Sequence, residues 1–147
     1  MTLRTQRQDS IGVEIINFDL GGPIDNCHTG HLPALVMHEG LVLIPQPIGT
    51  QTLETLGKGL GKLALFEKDA THFHPAHSVM TNVSGDGDIM SRSDFDMRIL
   101  GFNEQWHTDS SFRKIPASFS LLSAVVVPPH KGDTFFSSAH LAPPERA

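Results

Sequence analysis

The stretch Trp-His-Thr-Asp at residues 106–109 carries the side chains with the clearest chemical potential. His107 and Asp109 are two residues apart, and on a β-strand side chains at that spacing point to the same face. An imidazole and a carboxylate that converge in this way can bind one metal ion. Two histidines and one carboxylate form the facial site of non-haem Fe(II) oxygenases, which leaves other coordination positions open. The spacing therefore predicts a metal site with His107 and Asp109 as two ligands.

The composition is that of a soluble globular chain. Its 147 residues suffice for one domain with its own core. The net charge is −5 and Lys and Arg are scattered, so we expect no nucleic-acid partner. The single cysteine, Cys27, excludes an internal disulfide and favours a reducing compartment. No secretory leader pattern and no apolar run of about 20 residues is present, which predicts a cytoplasmic protein without a membrane partner.

The N-terminal half shows alternating strand and helix patterns. Residues 11–18 partly alternate and predict a strand, and the apolar run 41–44 predicts a short buried strand. Between them, apolar residues at helical spacing predict a helix with Pro33 in its first turn and Gly40 at its end. Residues 53–63 carry leucines at intervals of three and four, which predicts an amphipathic helix.

The second half has longer irregular stretches and later strand patterns. Residues 71–105 predict a loop-rich segment, with a tight turn at residues 85–88, Gly-Asp-Gly-Asp. The apolar, β-branched run at 119–127 predicts a central strand, and residues 132–136 predict the start of another. Helices early and strands later favour an α+β chain with a β-sandwich or jelly-roll core.

Three blocks of sequence occur together in the order and spacing of one family. They are WHTDSSF at 106–112, SLLSAVVVPP at 120–129 and GDT at 132–134. The stretch resembles the taurine/2,4-dichlorophenoxyacetate dioxygenase family, and its herbicide-degrading branch above all, whereas the N-terminal half resembles the family more loosely. The resemblance implies an incomplete double-stranded β-helix, or jelly roll, with N-terminal helices over residues 11–136. A flexible N-terminus (1–10) and a divergent tail (137–147) would flank it.

The resemblance also implies residue roles. His107 and Asp109 would ligate Fe(II), and Thr134 would hydrogen-bond a carboxylate of the co-substrate 2-oxoglutarate. Asn103 and His72 would contact the substrate. The implied reaction uses O₂ to hydroxylate a small anionic organic substrate of the aryloxyalkanoate or sulfonate type, while 2-oxoglutarate becomes succinate and CO₂.

The chain departs from the family pattern after residue 136. The distal histidine ligand, the arginine that holds 2-oxoglutarate and the remaining strands are expected there, and the resemblance does not extend to them. His140 and Arg146 are expected to be tail residues rather than substitutes. The chain is therefore expected to be an N-terminal portion that binds iron weakly and does not turn over 2-oxoglutarate alone. Unpaired strand edges would allow it to form a homo-oligomer.

Other interpretations of these residues remain open. A His-x-Asp spacing by itself is more often a surface pair, and Thr134 by itself could be an ordinary strand residue. The chain could be a non-catalytic remnant of the family. It could also be a cupin-like module that binds Zn or Mn through His72, His74 and His107, although Pro75 interrupts a strand there. Such a module would keep its metal without Asp109 and lose it without His74.

Overall fold

Short strands and helices follow one another along the chain. The computed structural model describes residues 3–8, 11–19, 26–65, 73–74 and 76–139, with the backbone alone at 26–29 and 73–74. The elements in these ranges are, in order, β1 Thr5–Arg7, β2 Val13–Ile15, α1 Asn26–Glu39, β3 Val42–Leu43, α2 Thr50–Leu60, β4 Phe73–His74, β5 His77–Ser78, α3 Phe95–Gly101 and the 3₁₀-helix Phe102–Glu104. The predicted α+β class is confirmed. The described residues within 1–62 and 121–147 form a first unit, and those within 63–120 form a second.

The first unit contains a mixed three-stranded sheet in the order β1-β2-β3. β1 and β2 are antiparallel, whereas β2 and β3 are parallel, with Val13 opposite Val42. A parallel pair requires a crossover connection, and α1 lies in the connection between β2 and β3. The strands predicted within 11–18 and 41–44 are confirmed, each over a shorter length.

The core of the first unit brings together apolar residues from strand, loop and helices: Ile15, Phe18, Leu32 and Leu56. Partly buried side chains pack around this cluster, namely Leu3, Leu35, Val42, Ile44, Ile48 and Leu60. Leu56 is 2% exposed, which confirms that the predicted amphipathic helix, α2, faces the core. Burying one such side chain stabilises the fold by about 1.5–3 kcal/mol, so this cluster gives the unit its packing energy.

Helix α1 differs from its prediction at the N-terminus and matches it at the C-terminus. It begins at Asn26, so Pro33 lies well inside the helix rather than in its first turn. Proline has no N–H for the helical hydrogen bond, so this position lowers the stability of the helix. The predicted end is confirmed, because Gly40 has a φ of +77° and donates its N–H to the Val36 carbonyl over 2.8 Å.

Gly12 allows two chain segments to approach closely just before β2. Its φ is +88°, and a Cβ placed there would lie 2.7 Å from the carbonyl oxygen of Leu41. The N–H of Val13 donates to that same oxygen over 3.0 Å. Any side chain at position 12 would therefore strain the backbone and push the start of β2 away from the residue that precedes β3.

The apolar run at 119–127 was predicted as a central strand, and this prediction is wrong for the described chain. Residues 119–127 and 132–136 have no strand structure, and no strand in the described ranges pairs with them. β-branched residues form a strand only where a neighbouring strand supplies hydrogen bonds and a face to pack against. Val125 is accordingly 85% exposed. The Ser123 hydroxyl, which donates to the Ile48 carbonyl over 2.7 Å, ties this segment to the first unit.

The second unit is loop-rich at residues 79–94, as predicted for 71–105, whereas residues 95–104 of that range are helical. β4 and β5 form an antiparallel pair, and an isolated bridge joins Val83 to Ile89. Inside that bridge, the Ser84 N–H donates to the Asp88 carbonyl over 2.8 Å and Gly87 has a φ of +90°. The turn predicted at 85–88 is therefore confirmed.

Helix α3 and the following 3₁₀-helix were not predicted. The sequence carried a signal for them, because Phe95, Ile99 and Phe102 recur at helical spacing behind Asp94, a residue type that often begins a helix. Among the helices of the described chain, none combines the length and apolar character that a bilayer-spanning helix needs. The jelly roll stays a prediction.

Candidate metal centre

His107 and Asp109 lie in the second unit, in the loop that follows the 3₁₀-helix. That helix ends at Glu104, and the next residue, Gln105, has an extended backbone with φ −95° and ψ 151°. Residues 106–108 have no regular structure, and a turn begins at Asp109. The prediction that the pair lies on a strand is therefore wrong, because no strand of the described chain pairs with this loop. The two side chains nevertheless converge.

Hydrogen bonding assigns different roles to the two ring nitrogens of His107. Nδ1 lies 2.8 Å from the Gln105 carbonyl oxygen, which can only accept, so Nδ1 donates its proton there. In the neutral imidazole, Nε2 then carries the lone pair, and it faces Oδ1 of Asp109 at 3.4 Å. A lone pair and a carboxylate oxygen repel each other unless a cation lies between them. That cation can be a proton or a metal ion.

The arrangement fits a metal ion at two of the three positions of a facial site. Imidazole nitrogens and carboxylate oxygens bind divalent zinc at about 2.1 Å, so two ligands of one such ion are at most about 4.2 Å apart. The 3.4 Å between His107 Nε2 and Asp109 Oδ1 meets this limit. The carbonyl bond to Nδ1 is the kind of outer contact that orients a ligating histidine. Within the described ranges, no group of three or more His, Cys, Asp or Glu side chains gathers around one point.

The pair is open to solvent. The His107 side chain is 47% exposed and that of Asp109 is 60% exposed. An ion pair this exposed contributes at most about 1 kcal/mol to the free energy of unfolding. The contribution of the pair to folding is therefore small, and its Nε2 and Oδ1 atoms are accessible to an ion from solution.

A tight turn holds Asp109 in place after the histidine. Ser110 has a φ of +58°, the left-handed region that residues other than glycine seldom adopt. The Arg113 N–H donates to the Ser110 carbonyl over 2.9 Å. The Ser111 hydroxyl donates to the carbonyl of Thr108, the residue between the two candidate ligands, over 3.0 Å. These two bonds close the chain around Asp109.

Comparison with known families decides the assignment of the chain. The model of the taurine catabolism dioxygenase TauD, TfdA family matches residues 3–143. This chain belongs to that family. The resemblance drawn from residues 106–134 is therefore confirmed, and the match also includes the N-terminal half, where the resemblance was looser. No solved structure matches the chain.

Curated relatives match over part of the chain. An alpha-ketoglutarate-dependent 2,4-dichlorophenoxyacetate dioxygenase of Cupriavidus pinatubonensis is 44% identical over 63 residues, which cover 43% of this chain and 22% of that protein. An enzyme of the same name from a Burkholderia species is 40% identical over 63 residues, covering 43% and 21%. An (S)-phenoxypropionate/alpha-ketoglutarate-dioxygenase of Sphingobium herbicidovorans is 37% identical over 67 residues, covering 44% and 23%. The matched part of the chain thus spans about a fifth of the length of these relatives.

Two further residues that the family resemblance singles out lie in different units. Asn103 is in the 3₁₀-helix of the second unit, and the candidate ligands lie in the loop that follows this helix. The Nδ2 of Asn103 donates to the sulfur of Met80 over 3.2 Å. Thr134 belongs to the first unit, where it is exposed and outside any strand. The roles proposed for both residues, in substrate and 2-oxoglutarate binding, stay predictions.

The remaining histidine predictions fall on parts of the chain without described side chains. His72 lies outside the described residues, and His74 is described by its backbone alone. The alternative site of His72, His74 and His107 therefore stays a prediction. His140 and Arg146 also lie outside the described residues.

Sequence reasoning missed the residues that shape the loop. The carbonyl of Gln105 sets the tautomer of His107, and a backbone acceptor leaves no mark in a sequence. Arg113 anchors the far end of the loop, since its Nη1 donates to the Leu65 carbonyl over 3.3 Å and its guanidinium lies 6.0 Å from the centroid of the Phe112 ring. The two consecutive serines after Asp109 could have predicted the turn at this position, because serine favours turns.

Proposed function

We propose that this chain carries part of the active site of an Fe(II)- and 2-oxoglutarate-dependent dioxygenase, with His107 and Asp109 as two of the metal ligands. The observation that supports this most directly is the pairing of His107 Nε2 with Asp109 Oδ1 at 3.4 Å, while Nδ1 is bonded to a backbone carbonyl. Family membership over residues 3–143 supports the identity of the metal and co-substrate.

The substrate proposed is a small anionic organic molecule of the aryloxyalkanoate or sulfonate type. The names of the relatives, 2,4-dichlorophenoxyacetate and (S)-phenoxypropionate dioxygenases, favour the aryloxyalkanoate class. The overall reaction converts substrate, 2-oxoglutarate and O₂ into hydroxylated substrate, succinate and CO₂. Thr134 would bind a carboxylate of 2-oxoglutarate, and Asn103 and His72 would contact the substrate.

The bound iron would supply oxygen activation, and the chain's own residues would supply orientation. The Gln105 carbonyl keeps the proton of His107 on Nδ1, which leaves Nε2 free to ligate. Asp109 adds a negative charge that offsets part of the charge of the metal ion. One histidine and one carboxylate leave the other coordination positions to further ligands.

A second candidate is a metal-binding protein without turnover. The 47% and 60% exposure of the two side chains favours it, because oxygenase chemistry requires a site from which water is excluded. The two candidates share the metal site and differ in the formation of succinate.

The experiment measures metal binding with the purified 147-residue chain, and turnover with that chain combined with the C-terminal half of the Cupriavidus pinatubonensis relative. Calorimetric titration with Fe(II) under anaerobic conditions gives the affinity, and succinate is quantified after adding O₂, 2-oxoglutarate and 2,4-dichlorophenoxyacetate. We expect His107→Ala and Asp109→Ala each to weaken binding by about tenfold or more. His130→Ala, which removes an exposed histidine in the first unit, is the matched control and should leave the affinity unchanged.

The outcomes separate the candidates. Succinate that forms when the chain is combined with the C-terminal half of the Cupriavidus pinatubonensis relative, and that disappears in His107→Ala, supports the dioxygenase. Metal binding without succinate in that combination supports the second candidate. Equal metal affinity in the wild-type chain and in both ligand variants would refute the metal centre itself.

A further inference from the structure

The turn after the candidate ligands contains an unusual backbone conformation. Ser110 has a φ of +58°, and Lys131 with a φ of +64° is its counterpart in the first unit; these two are the non-glycine residues with positive φ in the described chain. For residues with a side chain, this left-handed conformation is unfavourable because the Cβ approaches the following carbonyl oxygen. Such strain persists only where surrounding interactions over-determine it, and it concentrates at functional sites.

Packing does not explain the conformation of Ser110. The large apolar side chains that flank the loop, Trp106 and Phe112, are exposed, and Ser110 itself is only partly covered. The conformation instead accompanies two local hydrogen bonds, one to Ser110 itself and one that spans it. Arg113 donates to the Ser110 carbonyl, and the Ser111 hydroxyl donates to the Thr108 carbonyl.

The second of these bonds bears directly on the ligand pair. Thr108 is the single residue between His107 and Asp109, so holding its carbonyl holds the peptide plane that leads into Asp109. The Ser111 hydroxyl reaches back to that carbonyl across Asp109 and Ser110, so the bond closes a local turn that contains both residues. The left-handed backbone of Ser110 lies within this turn, directly after Asp109.

We propose that Ser110 is a positioning residue of the metal centre, whose left-handed backbone keeps the Asp109 carboxylate beside His107 Nε2. This inference rests on the proposed function, since it assumes that the pair binds a metal ion. Ser110 contributes through its backbone conformation and not through its hydroxyl. A residue that tolerates positive φ should therefore preserve the site, and a β-branched residue should not.

The test compares three single variants of the full chain with Co(II) alone as the probe. Ser110→Val disfavours the left-handed conformation, and Ser110→Gly permits it without the hydroxyl. Lys131→Val places the same β-branched residue at the other left-handed position and serves as the matched control. Co(II) affinity is measured by calorimetry, and thermal unfolding of the metal-free chain is recorded for each variant.

We expect Ser110→Val to weaken Co(II) binding by about tenfold or more, as loss of contacts that orient ligands does in other metal sites. Ser110→Gly should bind Co(II) with wild-type affinity. Lys131→Val should lower the unfolding temperature as Ser110→Val does and leave the Co(II) affinity unchanged. If Ser110→Val does not fold, Ser110→Ala replaces it with the same expected direction of change.

Two results would overturn the inference while the metal centre stands. In the first, Ser110→Val binds Co(II) as wild type does while Asp109→Ala loses binding, so the metal centre stands and Ser110 has no part in it. In the second, Ser110→Gly loses affinity as the valine variant does, which would point to the hydroxyl rather than the backbone. If His107→Ala and Asp109→Ala both bind Co(II) normally, the proposed metal centre fails, and the inference about Ser110 fails with it.

Discussion

The core of the first unit and the loop at residues 105–113 are held in opposite ways. In the core, Ile15 and Leu56 are removed from water and touch apolar neighbours from several elements. In the loop, the candidate ligands His107 and Asp109 are exposed, and local hydrogen bonds set their positions. The core therefore provides stability, while the loop carries the two candidate ligands.

This separation has a simple physical basis. Burial of apolar area contributes kilocalories per side chain, whereas an exposed hydrogen bond or ion pair contributes a fraction of that. A metal ligand must keep a lone pair accessible, so it cannot be covered as a core residue is. Substitutions in the core should consequently lower the free energy of unfolding, whereas substitutions of the candidate ligands should lower metal affinity. The substitutions below follow in order of their expected change in the free energy of unfolding.

The largest loss of stability is expected in the core. Leu56→Ala removes a side chain that is 2% exposed and leaves a cavity, so the free energy of unfolding should fall by about 2–5 kcal/mol. Met37→Ala in α1, where the side chain is 76% exposed, is the control and should change it by less than about 0.5 kcal/mol. Denaturant titration measures both, and equal effects would contradict the assigned core.

The next largest effect is expected at the close approach before β2. Gly12→Ala places a Cβ 2.7 Å from the Leu41 oxygen at positive φ, so it should lower the free energy of unfolding by about 1–3 kcal/mol. Gly30→Ala in α1 meets no atom within 4 Å and should raise it by up to about 1 kcal/mol. Chemical denaturation of the two variants should give opposite signs. A neutral Gly12→Ala would argue against the β2–β3 contact.

Substitution of a candidate ligand is expected to change the free energy of unfolding less than either substitution above. Asp109→Asn removes an exposed charge, so the free energy of unfolding should change by no more than about 1 kcal/mol. Fe(II) affinity should nevertheless fall. Asp86→Asn in the 84–88 turn is the control for loss of one exposed carboxylate, and it should keep wild-type affinity. A large loss of stability in Asp109→Asn would mean that the loop contributes to the fold as the core does.

The smallest effect is expected where the strand was predicted. Val125→Ala alters a side chain that is 85% exposed, so the free energy of unfolding should change by less than about 0.5 kcal/mol. A buried central strand at 119–127 would give a clearly larger loss. Equilibrium denaturation of this one variant thus decides between the sequence pattern and the described structure for this segment.

Local patterns predicted the elements whose partners are close along the chain. Helix α2 follows from its leucine spacing, and α1 ends at Gly40 as expected. The turn at 85–88 followed from its glycines and aspartates. The strand prediction at 119–127 failed because a strand needs a hydrogen-bonded neighbour, which local composition does not supply. Pro33 was misplaced because the helix begins at Asn26, upstream of the apolar residues whose spacing predicted it.

For the candidate site, the residue types His107 and Asp109 and their spacing were readable directly, and the family followed from the order of three blocks. The sequence did not predict how the two side chains converge. The prediction used strand periodicity, whereas the chain uses an extended residue at Gln105 and a left-handed one at Ser110. Backbone angles and a carbonyl acceptor are shared by all residue types, so a sequence does not record them.

The sequence by itself determined the family, the two candidate ligands and the helices that bury Leu32 and Leu56, because these depend on residue type and short-range spacing. The tertiary structure alone decided which apolar residues are buried, since burial depends on neighbours distant in the chain. It also decided that Nε2 of His107, and not Nδ1, faces Asp109, because a backbone carbonyl takes the other nitrogen.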